Sequence, residues 1–138
     1  MAVPRAYPVN AYKQVAAQTA PPGALVLMLF DGALRSLERA LPAFDLDDPR
    51  EKNQSIHNNL QRAVDIIREL NNSLDIEAGG ELAGILRGLY FYFENQLIGS
   101  NLRKRRDGVI EVIAHLKELR EAWAAMLTRQ GEPALNAV

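Results

Sequence analysis

The sequence predicts an all-α fold, an antiparallel up-down four-helix bundle with a loose N-terminal arm, on three observations. Apolar residues recur at spacings of three and four through four long stretches, the period of a helix with one buried face. Proline, glycine or an acidic residue punctuates the ends of those stretches. No stretch shows the strict alternation or the hairpin turn signal of a β-strand pair. Helices of about 20 residues joined by short connectors favour antiparallel neighbours, and the up-down bundle follows.

The chain has 138 residues, enough for one domain. We divide it into a flexible arm over 1–19, the bundle over 20–130 and a frayed C-terminus over 131–138. A net charge of −1 argues against a nucleic-acid partner. The absence of cysteine removes disulfides, thiolate catalysis and thiolate metal sites together. The opening MAVPRAYPVN lacks the layout of a signal peptide, and no apolar run approaches a membrane span, so no membrane insertion and a cytoplasmic location are expected.

The arm carries Pro4 and Pro8 and no sustained period, yet Val9 and Tyr12 are apolar at i and i+3. It is either a disordered tail with incidental hydrophobes or a segment that docks on the domain. Thr19-Ala20-Pro21-Pro22 opens the first helix, since proline's missing N–H costs little in a first turn. That helix runs to about Phe44, with Val26, Leu29, Phe30, Ala33, Leu37 and Phe44 as its core stripe and Pro42 in its last turn. Leu27, Leu34 and Leu41 widen the stripe, while Leu25 and Met28 lie outside it beside Gly32. Asp47-Asp48-Pro49 with Glu51 starts the second helix, which runs to about Ser73. Its seam of Ile56, Leu60, Ala63, Ile67, Leu70 and Leu74 alternates steps of four and three, as in a coiled coil, with Val64 and Ile66 flanking. Leu74 to Gly80 reads as a connector, ending in Gly79-Gly80. The fourth helix, from about Asp107 to Arg129, buries Val109, Val112, Ile113, Leu116, Leu119, Trp123 and Leu127, and Gly131 and Pro133 end it.

The third helix, Gly80 to Leu102, differs from the others. Leu82, Leu86, Leu89, Phe93 and Leu97 share one face and form its expected core stripe. The opposite side is apolar too: Phe91, Ile98 and Leu102 cluster there with Gly84, and Tyr92 flanks them. Only Arg87, Glu94 and Asn95 interrupt it. A helix apolar all round is either surrounded by its own protein or expects something to lie on it. The arm, a second copy of the chain and a foreign peptide all satisfy the pattern.

Catalytic chemistry finds no foothold. A di-iron bundle needs Glu-x-x-His on two helices, and neither His57 nor His115 has a glutamate three residues earlier. Glu111 precedes His115 by four and can reach it, but two ligands do not make a site. Histidine phosphotransfer, the enzyme alternative, lacks a small residue and a lysine near His57, and Glu111 would repel the phosphoryl group at His115. Ser36, Ser55, Ser73 and Ser100 sit in no nucleophile elbow, and no glycine loop cradles phosphate. Acidic residues pair with basic ones along helix surfaces, as Glu118 with Arg120 and Glu121 nearby. The run Arg103-Lys104-Arg105-Arg106 reads as a solvated connector complementing a helix C-terminus. The expectation is no catalytic, metal or cofactor site.

Four short motifs, in order and in register from about Asn10 to Trp123, resemble the flagellar secretion chaperones of the FliS family. They are Leu27-Met28-Leu29-Phe30-Asp31-Gly32-Ala33-Leu34; Ile66-Ile67-Arg68-Glu69-Leu70; Gly79-Gly80-Glu81-Leu82-Ala83 leading into Leu89-Tyr90-Phe91-Tyr92 and Asn101; and Leu119-Arg120 with Ala122-Trp123. The resemblance implies a cytoplasmic chaperone, not an enzyme, that binds the C-terminal segment of flagellin, prevents early polymerisation and delivers it to the flagellar type III export gate. It also implies that Val9 and Tyr12, at the positions of an aliphatic residue and a tyrosine in the family's arm, take part in binding. The expected partner-binding set is therefore Val9, Tyr12, Phe91, Tyr92, Ile98 and Leu102. Without client, the chain is expected to be a monomer or weak homodimer. The alternative is a self-associating bundle with a structural or regulatory role. Phe91 departs from the family pattern, which usually places an acidic residue there; so do Arg105, where an acidic or polar residue is usual, and Pro22-Gly23 in place of a polar helix entry.

Overall fold

The computed structural model describes residues 22–130. Its helices run Pro22–Ala43 (α1), Pro49–Asn72 (α2), Ile76–Arg103 (α3) and Asp107–Gln130 (α4). Each packs on its neighbour in sequence, and α4 closes the ring against α1; the diagonal pairs make no close backbone approach. Cross-helix contacts run in opposite directions: His57 meets Asn101, Arg68 meets Glu94 and Asn71 meets Arg87. That descending register makes α2 and α3 antiparallel, as the up-down bundle requires.

The helix ends follow local chemistry. Pro42 leaves the carbonyl of Glu38 without its i+4 donor, and α1 stops one residue later. The chain then tightens through i→i−3 bonds from Phe44, Asp45 and Leu46. Asp48 caps α2 by accepting from the Glu51 amide at 3.4 Å, with Pro49 in the first turn. Lys104 ends α3 in the left-handed region, φ 54° and ψ 49°, donating its N–H to the Ser100 carbonyl.

The connector expected over Leu74 to Gly80 is largely helical. Asp75 accepts from the Ala78 amide at 3.0 Å and nucleates a turn from Ile76. Gly80 then breaks that turn from the main body of α3 at φ 56°, ψ −130°, a conformation an L side chain adopts poorly. A methyl group there would meet no atom within 4 Å, so its cost is backbone strain alone. Gly80→Ala is expected to destabilise the fold by about 1–3 kcal/mol. Scanning calorimetry should show a melting temperature lower by roughly 5 °C or more. An unchanged value would mean that the break is not required.

The core confirms most of the stripes. Leu29, Phe30, Leu37, Ile56, Leu60, Ile67, Leu70, Phe93, Leu97, Val109 and Leu116 are all buried to within 2% of full enclosure. Val64 and Ile66, placed at the flanks, are buried too, and Leu25 packs on the edge of the core. In α3 the buried arc is rotated from the expected one. Tyr90, Ala83 and Ser100 are inside, Leu89 is only half-buried, and Leu82 is 44% exposed. The rotation explains both: the buried arc centres on Leu86, Tyr90 and Leu97, and leaves Leu82 and Leu89 at its rim. Burial in apolar surroundings holds the Tyr90 phenol above the ordinary tyrosine range.

Polar contacts fasten α4 to α1, among them the ion pair of Lys117 with Glu38 at 3.5 Å. Arg120 donates to Asp31 at 2.8 Å, and the Trp123 indole N–H donates to the Gly23 carbonyl at 2.9 Å. Arg120 also bonds Glu121, whereas the pairing expected with Glu118 does not form; Glu118 faces His115 instead.

Candidate partner-binding surface

α3 is the least one-sided of the four helices, and its outer face carries the excess apolar surface. Phe91 is 52% exposed and Leu102 80%, with Ile98 open beside them. These residues recur at i, i+7 and i+11, so they line one edge of the outer face, the edge toward α2. The opposite edge, toward α4, carries Ile85 and Tyr92, also at i and i+7. Gly88 lies between the two edges and Gly84 on the Phe91 edge, both with open space where a Cβ would stand. The result is a shallow trough: bare backbone on the midline, large apolar side chains on both shoulders.

The two shoulders differ in charge. On the α2 side, Arg68 donates to one Glu94 oxygen through Nε (3.0 Å) and Nη2 (2.8 Å). That bond holds the Arg68 guanidinium above its ordinary pKa. Arg87 donates through Nε to the side-chain oxygen of buried Asn71 at 3.0 Å and through Nη2 to its carbonyl at 3.4 Å. On the α4 side, the Tyr92 hydroxyl donates to Glu111 and accepts from Gln96 at 3.0 Å. The bond to Glu111 raises the Tyr92 phenol pKa. His115 stands 3.6 Å from Glu111 and 3.5 Å from Glu118, its ring stacked on Phe93.

Of the expected binding residues, the structure brings Phe91, Ile98 and Leu102 together and places Tyr92 on the other shoulder, its hydroxyl already engaged. Val9 and Tyr12 lie outside the described residues. Periodicity missed Ile85, although its i+7 relation to Tyr92 was visible. It also counted Arg87 and Glu94 as interruptions of the apolar face, whereas both turn aside to α2. His57 Nδ1 accepts from the Asn101 amide at 2.9 Å, tying α2 to the last turn of α3. The basic connector is partly structural: Arg106 pairs with Asp45 and stacks over Phe44 at 5.6 Å, and Arg105 pairs with Asp107 at 3.2 Å. Among the described residues no three His, Cys, Asp or Glu side chains converge as metal ligands, and no helix is long and apolar enough to cross a membrane.

The chain matches the family model of the flagellar protein FliS over residues 5–130. It belongs to the FliS family of flagellar secretion chaperones. It is 39% identical to the flagellar secretion chaperone FliS of Campylobacter jejuni, over 83% of this chain and 86% of that one. It is 38% identical to the Salmonella typhimurium FliS, again over 83% and 86%. With the Bacillus subtilis FliS the identity is 34%, over 84% of this chain and 83% of the relative. In this FliS-family member the motif residues divide by task. Asp31, Arg120 and Trp123 hold α4 to α1, and Tyr90 fills the core. Phe91, one step along the same motif, points out into the trough.

Proposed function

We propose that this chain is a non-enzymatic cytoplasmic export chaperone that binds the disordered C-terminal region of flagellin. It keeps that region from polymerising early and delivers it to the flagellar type III export gate. The observation that carries the proposal is the outer face of α3, where Phe91, Ile98 and Leu102 stay exposed in a member of a flagellar secretion chaperone family. A segment that folds on binding loses conformational freedom as it does so, and a long apolar contact offsets that cost better than a small polar one. A trough with apolar shoulders suits an amphipathic helix laid along it. The family resemblance supports a part for Val9 and Tyr12 in binding, through an arm that yields to the client.

Titration calorimetry with the C-terminal peptide of the flagellin encoded by the same genome should give a one-to-one complex. Absence of heat at high micromolar concentration would overturn the proposal. Removal of residues 1–18 should tighten binding if the arm competes for the trough. Sedimentation addresses self-association: a client-free dimer that dissociates on loss of Phe91 or Ile98 would favour a self-assembling bundle.

A further inference from the structure

We propose that the recess between α2 and α3, beside Phe91, receives an acidic side chain of the helical client, gripped by Arg87 with Arg68 in support. This rests on the proposed chaperone function and adds the chemistry and orientation of its client. The recess, of about 410 Å³, is lined by Arg68, Asn71, Asn72, Arg87, Phe91 and Glu94. It opens directly off the apolar shoulder, so a helix anchored on Phe91 has its next turn at the recess mouth.

Two guanidinium groups and one carboxylate line this space, and the carboxylate is committed to Arg68. Arg87 is bonded to Asn71 and not to that carboxylate. Its Nε and Nη2 are held by Asn71, which fixes the plane of the fork. An arginine oriented in this way is prepared for a charge-assisted bond to a carboxylate, with little rotamer freedom left to lose. The opposite shoulder has the contrary sign. Glu111 and Glu118 flank His115 there, and the Tyr92 hydroxyl is already spent on Glu111. An acidic client residue is thus attracted to the α2 shoulder and repelled from the α4 shoulder, which sets the rotation of the client helix about its own axis.

The test is a double-mutant cycle by titration calorimetry on the full chain. The probes are the flagellin C-terminal peptide, the same peptide with each Asp or Glu changed singly to its amide, and the peptide with an amidated C-terminus. One acid-to-amide peptide should bind about tenfold more weakly to the unmodified chain, as expected for a lost charge-assisted bond. Arg87→Gln should lose a similar factor toward the parent peptide and nothing further toward that one variant. Arg68→Gln, at an exposed side chain, provides a second cycle in case Arg87→Gln disturbs Asn71. If Arg87→Gln and Arg68→Gln weaken all peptides equally, or none, the inference falls while the chaperone function stands. A loss that follows only amidation of the C-terminus also overturns it. If the unmodified chain binds no peptide, the proposed function falls and this inference with it.

Discussion

Phe91→Asp is expected to weaken binding of the flagellin peptide by about thirtyfold or more, the loss of about 2 kcal/mol typical of a central aromatic anchor. The ring is 52% exposed in the free chain and stands between the open backbone at Gly88 and the α2 shoulder. A client helix would bury what remains of it. Aspartate removes that apolar contact and sets a charge where the client's apolar face must sit, unpaired or paired within the chain in either case. The fold should not suffer, because the site is on the surface and Arg68 and Arg87 line the adjoining recess. Far-UV circular dichroism and the melting temperature should therefore match the unmodified chain. Phe91→Ala separates the two contributions: it removes the ring without placing a carboxylate next to the arginines, and should show a smaller loss. If Phe91→Asp binds the peptide as tightly as the unmodified chain, the outer face of α3 is not the docking surface.

Trp123→Ala should be the most destabilising single change of those considered, by about 3–5 kcal/mol, the range for removing a large aromatic from a core. Trp123 is buried where the far end of α4 meets the first turn of α1, and its indole N–H satisfies the Gly23 carbonyl. Truncation leaves both a cavity and a buried carbonyl without that donor. The neighbouring Arg120–Asp31 bond, one turn away on α4, is partly exposed and offsets little of this. Trp123→Phe keeps most of the volume and loses the hydrogen bond, so it should cost only about 1 kcal/mol beyond any repacking. Urea denaturation followed by circular dichroism gives both values. A midpoint unchanged in Trp123→Ala would show that the α1–α4 seam is held by something other than this residue.

The positions of the helices were legible because their signals are local. Asp48-Pro49 marks a start, Pro42 a stop, and the seam from Ile56 to Leu70 repeats with a period that only a one-sided helix needs. The excess apolar surface of α3 was legible for the same reason: no single face can hold Phe91, Ile98 and Leu102 together with Phe93 and Leu97. Leu82 misled, since the buried arc of α3 is rotated from the stripe that periodicity suggests and leaves it at the rim. Gly79-Gly80 misled in another way. The glycine pair signals a break, but Asp75 had already started a helical turn before it.

The sequence by itself determined four amphipathic segments, most of their ends and the presence of one helix apolar on two sides, because periodicity and capping involve only residues a few positions apart. Only the tertiary structure decided which of those apolar residues remain uncovered and what charge surrounds them. Arg87 and Arg68 come to lie beside Phe91, and Glu111 beside Tyr92, through the register of α3 against α2 and α4. That register is fixed by contacts between residues 16 to 44 positions apart, such as Arg87 with Asn71, Arg68 with Glu94 and His57 with Asn101. No period within a single helix encodes them.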